Sequence, residues 1–220
     1  SIDYFLFPSL DEKFQHETLD QLKIPREKRL SSKNIRHLSA EEIIVSDHPY
    51  NLLNDPSQDA NNIPNWISNW LKKSFINQNI YSNKYPKKFY IDRSDAKSNH
   101  SKLRNIINEN EVKNLMKENN FEILTMSNFS FSEQVRLFNN AEFIVGLHGG
   151  AFVNLAFCKP DTKVLELKAN GTGKQIEYFA KNNSLNYDLI ASESSSAYAR
   201  NQLGDISIEI ESLNEKIKTQ

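Results

Sequence analysis

The 220-residue sequence predicts an α/β fold built on a parallel sheet with both faces covered. Two observations carry that prediction. From Phe89 to Ile190, apolar runs of strand length alternate with helical patterns, and the connections between them are short. Within that span, EFIVGLHGGAFVNLAFCKPDTKVLEL (Glu142–Leu167) holds strand, glycine turn, short helix and strand in about 25 residues, a compact βαβ unit. The pattern before Phe89 is a partial version of the same plan.

Ile2–Phe7 (IDYFLF) is apolar enough for a buried strand, which Pro8-Ser9 closes. Phe14, Leu19 and Leu22 then recur at helical spacing, and Ile24-Pro25 ends that helix. Glu42–Val45 (EIIV) is a second strand candidate, and Asp47–Asn62 reads as a loop. Pro64 opens a helix on which Trp66, Trp70, Leu71 and Phe75 share a face. That makes the tryptophans core or interface anchors, with stacking on a sugar as the sharper alternative. Asn77–Lys88 is polar and contains Pro86, so a boundary falls there, between residues 1–78 and 79–220.

Phe89–Ile91 begins the second domain and runs directly into Asp92-Arg93-Ser94-Asp95. Asn108 caps a helix from Glu109 to Asn119 whose buried stripe is Val112, Leu115 and Met116. Phe121–Met126 is a strand, and Ser130 with Glu133 forms a capping box ahead of Val135, Leu137 and Phe138. Phe143–Val145 is a buried strand that stops at Gly146, and Ala151–Phe157 packs as a short helix broken at Cys158-Lys159-Pro160-Asp161. Thr162–Leu167 is the next strand. Gly171-Thr172-Gly173 leads into a helix over Lys174–Lys181, Tyr187–Ile190 is the last strand, and a tail helix surrounds Leu213–Ile217.

Composition excludes several classes. Lys and Arg total 27 against 28 acidic residues, a net charge of −1, which gives no field for binding nucleic acid. No run of 18 apolar residues occurs, so this chain carries no transmembrane helix. Cys158 is the only cysteine and has no internal disulfide partner, which suits a reducing, cytoplasmic compartment. No D-x-D pair occurs, and His16, His37, His48, His100 and His148 lack metal-ligand spacing, so no metal site is expected.

The glycines at the mouth of the short helix open its backbone N–H groups to an anion. G-x-G-x-x-G is absent and only GLHGG is present, so close packing alone remains an alternative. His148 favours function, because it stands at the carboxyl edge of a strand, where open α/β sheets bind ligands.

Several segments, in order and at matching spacing, resemble family 61 glycosyltransferases. IDRSDAK is similar to a strand-ending segment that places an arginine at Arg93. KLRNIINENEV is similar to an R-x-(I/L)-x-N-E element that places Arg104, Asn108 and Glu109. FSFSEQVRLFNNAEFIVGLHGGAFVNLAFCKPDTKVLEL resembles the family's E-Q-(V/I)…H-G-A-G-(L/F)-x-N…(V/I)-E-(I/L) block, and ETLDQLKIPREKRL resembles its first-domain helix with the following Leu-Gly-Ile-Pro element. Departures are His-Gly-Gly-Ala for His-Gly-Ala-Gly, Asp92 where serine is common, and no counterpart of the upstream histidine- and aromatic-rich segment.

The resemblance implies a GT-B-like arrangement: a complete Rossmann-like nucleotide-binding domain over 79–220, ending in the tail helix, beside a partial first Rossmann-like domain and linker helix over 1–78 on the acceptor side. It implies an inverting, metal-independent transfer of a sugar from a nucleotide-sugar donor to a glycan or other hydroxyl acceptor. The setting is polysaccharide or glycoconjugate biosynthesis of the capsular type, in the cytoplasm or at the inner face of a membrane. The donor is a co-substrate and no cofactor is expected. Arg93 and Arg104 supply positive charge to the departing diphosphate, and Gly149, Gly150 and Ala151 supply backbone N–H groups. His148 joins them as a ligand or catalytic group. Glu166 either accepts from ribose hydroxyls or pairs with Lys163 or Lys168, and Gly171, Thr172 and Gly173 make a second glycine turn beside the phosphates. The general base is expected upstream of Ser1, with Asp3, Asp11, His16 and Asp47 as candidates within the chain. A non-catalytic nucleotide-sugar-binding scaffold and a nucleotide-sugar epimerase are the alternative functions.

Overall fold

A computed structural model describes residues 2–46, 63–76, 85–96, 104–195 and 204–219. The loop expected over Asp47–Asn62, the candidate base Asp47 and most of the expected boundary region lie outside the described residues. The elements in chain order are β1 (Phe5–Phe7), α1 (Lys13–Gln21), β2 (Arg29–Ser31), α2 (Asn65–Phe75), β3 (Lys88–Asp92), α3 (Glu109–Glu118) and β4 (Glu122–Thr125). They continue with α4 (Phe131–Asn140), β5 (Phe143–Leu147), a 3-10 helix (Gly150–Phe157), β6 (Lys163–Ala169), α5 (Gln175–Asn182), β7 (Asn186–Ser192) and α6 (Ile210–Thr219).

β3 to β7 form one five-stranded sheet in the order β4-β3-β5-β6-β7, parallel at every pairing. Counted from β3 the order is 2-1-3-4-5, a doubly wound sheet whose direction of winding reverses between β3 and β5. Connections on either side of that point leave on opposite faces, so a crevice opens at the carboxyl ends of β3 and β5.

Alternation along the strands sends successive side chains to opposite faces, and each face has its own core. Phe89, Ile91, Ile144 and Val164 pack with Val135 and Phe138 of α4, with Phe152 and Leu155 of the 3-10 helix, and with Ile176 and Ala180 of α5. Tyr90, Val145, Leu165 and Leu167 pack on the other face with Val112 and Met116 of α3 and with Leu213 and Ile217 of α6. Gly146 belongs to the first face, where a Cβ would stand 3.1 Å from Ile91 Cβ and 3.4 Å from the Phe152 ring. Its lack of a side chain is what lets the 3-10 helix lie close to the sheet. That helix is short and apolar as expected, but its whole length is 3-10. The tighter winding rises about 2.0 Å per residue instead of 1.5 Å. Asn139 Nδ2 holds its end by donating to Phe157 O at 2.9 Å.

The capping box of α4 forms as expected: Ser130 Oγ accepts from Glu133 N at 3.3 Å, and Glu133 Oε2 accepts from Ser130 N at 2.9 Å. Asn108 behaves differently. Its side chain does not cap α3; it brackets Ile208, accepting from the backbone N at 2.9 Å and donating to the backbone O at 2.8 Å. The start of α3 is thereby fastened to the segment ahead of α6.

The first part of the chain departs further from expectation. Glu42–Val45 is no strand, and Ile43, Ile44 and Val45 are exposed. The partner of β1 is β2, in parallel register from Phe5↔Arg29 to Phe7↔Ser31. A polar anchor positions it, since buried Arg29 donates to Ile24 O at 3.0 Å and to Asp20 Oδ1 at 2.6 Å. Glu17 of α1 reaches α4 and accepts from Phe131 N at 2.6 Å. This satisfies an orphan donor in the first turn of α4 with a carboxylate, which the helix dipole favours.

α2 lies ahead of the boundary expected at residue 78, yet it packs into the main sheet. Phe75 is buried, with its ring edge-to-face against Phe131 at 5.0 Å and against Phe157 at 6.4 Å. The tryptophans do not share that burial: Trp66 is 56% exposed and Trp70 47%. Among the described residues, no helix is long and apolar enough to cross a membrane.

Candidate active site

β5 is buried from Phe143 to Leu147, and its ladder with β6 extends one residue further, with His148 N donating to Leu167 O at 2.8 Å. That bond fixes His148 at the carboxyl edge of the sheet. Gly149 follows in an extended conformation (φ 174°, ψ 175°), and the 3-10 helix starts at Gly150. The N–H groups of Gly150 and Ala151 precede the first intrahelical donor and have no intrahelical acceptor.

Close packing explains Gly146 but neither glycine of the turn. A Cβ on Gly149 would meet Arg93 Cζ and Nε at 3.6 Å, an ordinary contact, and a Cβ on Gly150 would meet nothing within 4 Å. Neither residue has the positive φ that favours glycine. The space in front of this backbone is left open by the fold itself.

Arg93 follows β3 and crosses the switch point to His148, where Nη1 donates to the backbone O at 3.3 Å. Burial lowers its affinity for its proton. Burial and then the charge of Arg93 pull Arg104 down to about 10, with Glu166 opposing them, so Arg104 remains a cation at neutral pH. Arg104 therefore lies within electrostatic reach of both Arg93 and Glu166. Arg93, just after β3, and Arg104, just before α3, thus share one electrostatic neighbourhood.

Glu166 does not stand at a ligand surface. It lies inside β6 at 0% exposure, with His148 Nδ1 against Oε1 and the Tyr187 hydroxyl donating to Oε2. Its carboxylate is thus directed at His148 and not at a ribose. Of the two lysines considered for it, Lys168 is the neighbour, 3.7 Å from Oε2, while Lys163 sits over the Phe143 ring. Lys168 Nζ also donates to Gly173 O at 3.1 Å, which joins the second glycine turn to the same buried cluster. In that turn Gly171 has φ +81°, a conformation favouring glycine, and buried Thr172 donates its N–H to Ala169 O at 3.1 Å.

Tyr187 is the site residue that sequence reasoning missed. Burial, followed by the charge of Glu166, drives its hydroxyl well above the ordinary tyrosine range, so it stays a donor. Its signal lay in register: Val164↔Tyr187 and Glu166↔Leu189 place Tyr187 beside the Glu166 position across β6 and β7.

Beside the switch point a cleft of about 180 Å³ is lined by Tyr90, Asp92, Arg93, Asn105, Glu109 and Leu147, among others. Tyr90 Oη donates to Glu109 Oε1 at 2.8 Å, and Lys113 pairs with Asp92 at 2.9 Å. Burial raises the Glu109 carboxyl above its usual range. A larger cleft of about 750 Å³ opens at the amino-terminal edge of the sheet, among Lys87, Glu142, Asp161 and Lys163. None of the site residues borders it, and ligands of doubly wound sheets bind at the opposite edge. Of the base candidates in the first segment, Asp11 is paired with Lys33 at 2.6 Å and the His16 ring with Leu10 O at 2.8 Å.

The model of the family described as Glycosyltransferase 61 matches residues 5–165, which is most of the chain and includes Arg93, Arg104 and His148. Glu166 and the turn at Gly171–Gly173 fall just past the end of that span. No curated protein matches the chain.

Proposed function

The chain belongs to the glycosyltransferase 61 family, and from that premise we propose that it moves a sugar from a nucleotide-sugar donor held at the carboxyl edge of β3 and β5. The acceptor is a hydroxyl of a glycan or glycoconjugate, and the setting is polysaccharide or glycoconjugate biosynthesis. In an inverting transfer the acceptor oxygen attacks the anomeric carbon as the bond to the diphosphate breaks, and negative charge grows on the leaving group. Arg93, Arg104 and the free N–H groups at Gly150 and Ala151 stand where that charge develops, and they can neutralise it without a metal ion. In a GT-B-like arrangement the acceptor approaches from the side of residues 1–78. A cytoplasmic setting, free or at the inner face of a membrane, agrees with the chain's single cysteine, Cys158, which has no partner for an internal disulfide.

One observation carries the reading. The guanidinium of Arg93 lies against the Gly149 backbone, while neither Gly149 nor Gly150 is required by backbone conformation or by packing. A thermal-shift screen with UDP, GDP, CDP and TDP tests it, with stabilisation by at least one expected. Activity against a donor panel separates transfer from mere binding, and donor conversion without an acceptor would point to an epimerase. Indifference of the melting temperature to all four nucleotides, together with no transfer, overturns the proposal.

A further inference from the structure

Glu166 is sealed from solvent, yet both of its oxygens are engaged, Oε1 by the His148 ring and Oε2 by the Tyr187 hydroxyl. An ionised carboxylate only accepts hydrogen bonds, so the proton of a neutral His148 sits on Nδ1 and Nε2 carries the lone pair. Among the described residues Nε2 has no hydrogen-bond partner. A lone pair cannot donate to a phosphate oxygen. His148 can serve a diphosphate only as an imidazolium, with a second proton on Nε2.

Charged and polar groups face the ring from several elements. Glu166 and Lys168 face the cluster from β6, the Tyr187 hydroxyl from β7, Arg93 from the end of β3, and Arg104 from the segment before α3. Three cations and one acid therefore surround the ring, with the carboxylates of Asp95 and Glu109 also acting on Arg93, and protonating His148 in the empty site would add a fourth cation. A bound diphosphate reverses this balance by placing at least two negative charges at the helix mouth.

We propose that Glu166 is a positioning residue that holds the Nδ1–H of His148 inward, so that diphosphate binding draws a proton from solvent onto Nε2, which then donates to a phosphate oxygen. The inference rests on the nucleotide-sugar reading above. The proton returns to solvent when the nucleotide leaves, and no bond other than N–H is made or broken. The Tyr187 hydroxyl donates to the other carboxylate oxygen and Lys168 stands 3.7 Å from it, which keeps Glu166 aimed at the ring. Lys168 extends the same support to the Gly173 carbonyl, so the two glycine turns share one buried anchor.

Calorimetric titration of the full chain tests this, using whichever of UDP, GDP, CDP and TDP gives the largest thermal shift. Runs at about pH 7.5, in buffers of different ionisation enthalpy, count the protons taken up on binding. The terminal phosphate of the nucleotide titrates near about pH 6 on its own account, so the count is read as wild type minus His148→Gln. Expected is an uptake approaching one proton in wild type that vanishes in His148→Gln. Glu166→Gln keeps an acceptor for Nδ1–H but removes the compensating charge, so it should lose the uptake and bind about tenfold more weakly. Tyr187→Phe should fall between the two. Equal counts in wild type and His148→Gln, or an unchanged count and affinity in Glu166→Gln, would overturn the proposal. If Glu166→Gln does not fold, the comparison of wild type with His148→Gln decides alone. Binding without proton uptake defeats this inference only, whereas no binding by any of the four nucleotides defeats the donor-site reading with it.

Discussion

Arg93 and His148 stand at the ends of two adjacent strands, and the guanidinium of Arg93 donates to the backbone O of His148 at 3.3 Å. The bond spans the point where the winding of the sheet reverses, so it ties together the two loops that border the crevice. It uses one N–H of a five-donor group and leaves others to face a ligand. Arg93→Ala is therefore expected to weaken nucleoside diphosphate binding by about tenfold to a hundredfold, the usual range for a charge-assisted bond. Its melting temperature should move little. Isothermal titration with a thermal melt on the same sample checks both halves; a large fall in melting temperature with unchanged affinity would make Arg93 a structural strut.

The glycines give a paired test. Gly146→Ala puts a Cβ 3.1 Å from the Ile91 Cβ and against Phe152, so it should destabilise the fold by about 1–3 kcal/mol through overpacking. Gly150→Ala meets nothing within 4 Å in the empty site and should melt like wild type. With the open space assigned to a phosphate group, Gly150→Ala should nevertheless raise Kd. Denaturant melts and nucleotide titrations of both variants read this contrast, and normal binding by Gly150→Ala would remove the helix mouth from the donor site.

The sheet was readable because its signal is local. β3, β5 and β6 are dense apolar runs closed by turns, and the Ser130–Glu133 capping box marks the start of α4 to the residue. Arg93 and His148 were legible from their places after strands, whereas Arg104 entered through the resemblance of KLRNIINENEV. The missed features depend on pairing and on polar anchors. β2 has only three residues, Arg-Leu-Ser, and is held by Arg29 rather than by apolar character, whereas the more apolar Ile43–Val45 lies exposed. Trp66 and Trp70 share the helical spacing of Phe75, but only Phe75 meets the sheet domain. The burial of Glu166 between His148 and Tyr187 depends on the β5–β6 and β6–β7 registers, which the spacing of residues along one strand does not reveal.

Chelation separates two ways of handling the leaving group. With Arg93, Arg104 and the helix N–H groups supplying the positive charge, transfer should survive millimolar EDTA with its rate unchanged. A rate that collapses in EDTA and returns with Mn²⁺ or Mg²⁺ would assign that charge to a metal ion.

His148→Ala should leave the fold nearly intact and damage nucleotide binding. The ring is buried, but its partners are polar: it contributes a single bond to Glu166 and belongs to neither apolar core. Its removal leaves Glu166 with Tyr187 and Lys168. The expected outcome is a small shift in melting temperature with nucleotide-induced stabilisation much reduced. A variant that unfolds, or that binds normally once folded, would return His148 to a purely structural role.

The attachment of α2 makes the last prediction. If residues 79–220 formed a self-sufficient unit, shortening the chain to residue 79 would cost the sheet nothing. The packing says otherwise, because Phe75 fills a site between Phe131 at the start of α4 and Phe157 at the end of the 3-10 helix, the same helix whose first residues frame the crevice. Phe75→Ala should therefore cost about 3–5 kcal/mol, as for other buried phenylalanines. A chain beginning at residue 79 should lose at least as much, and should also lose the carboxylate of Glu17 from the first turn of α4. Chemical denaturation of both, followed by far-ultraviolet circular dichroism, measures these costs. Wild-type stability in the shortened chain would show that α2 and α1 rest on the sheet without supporting it, and the boundary near residue 78 would then separate independent units.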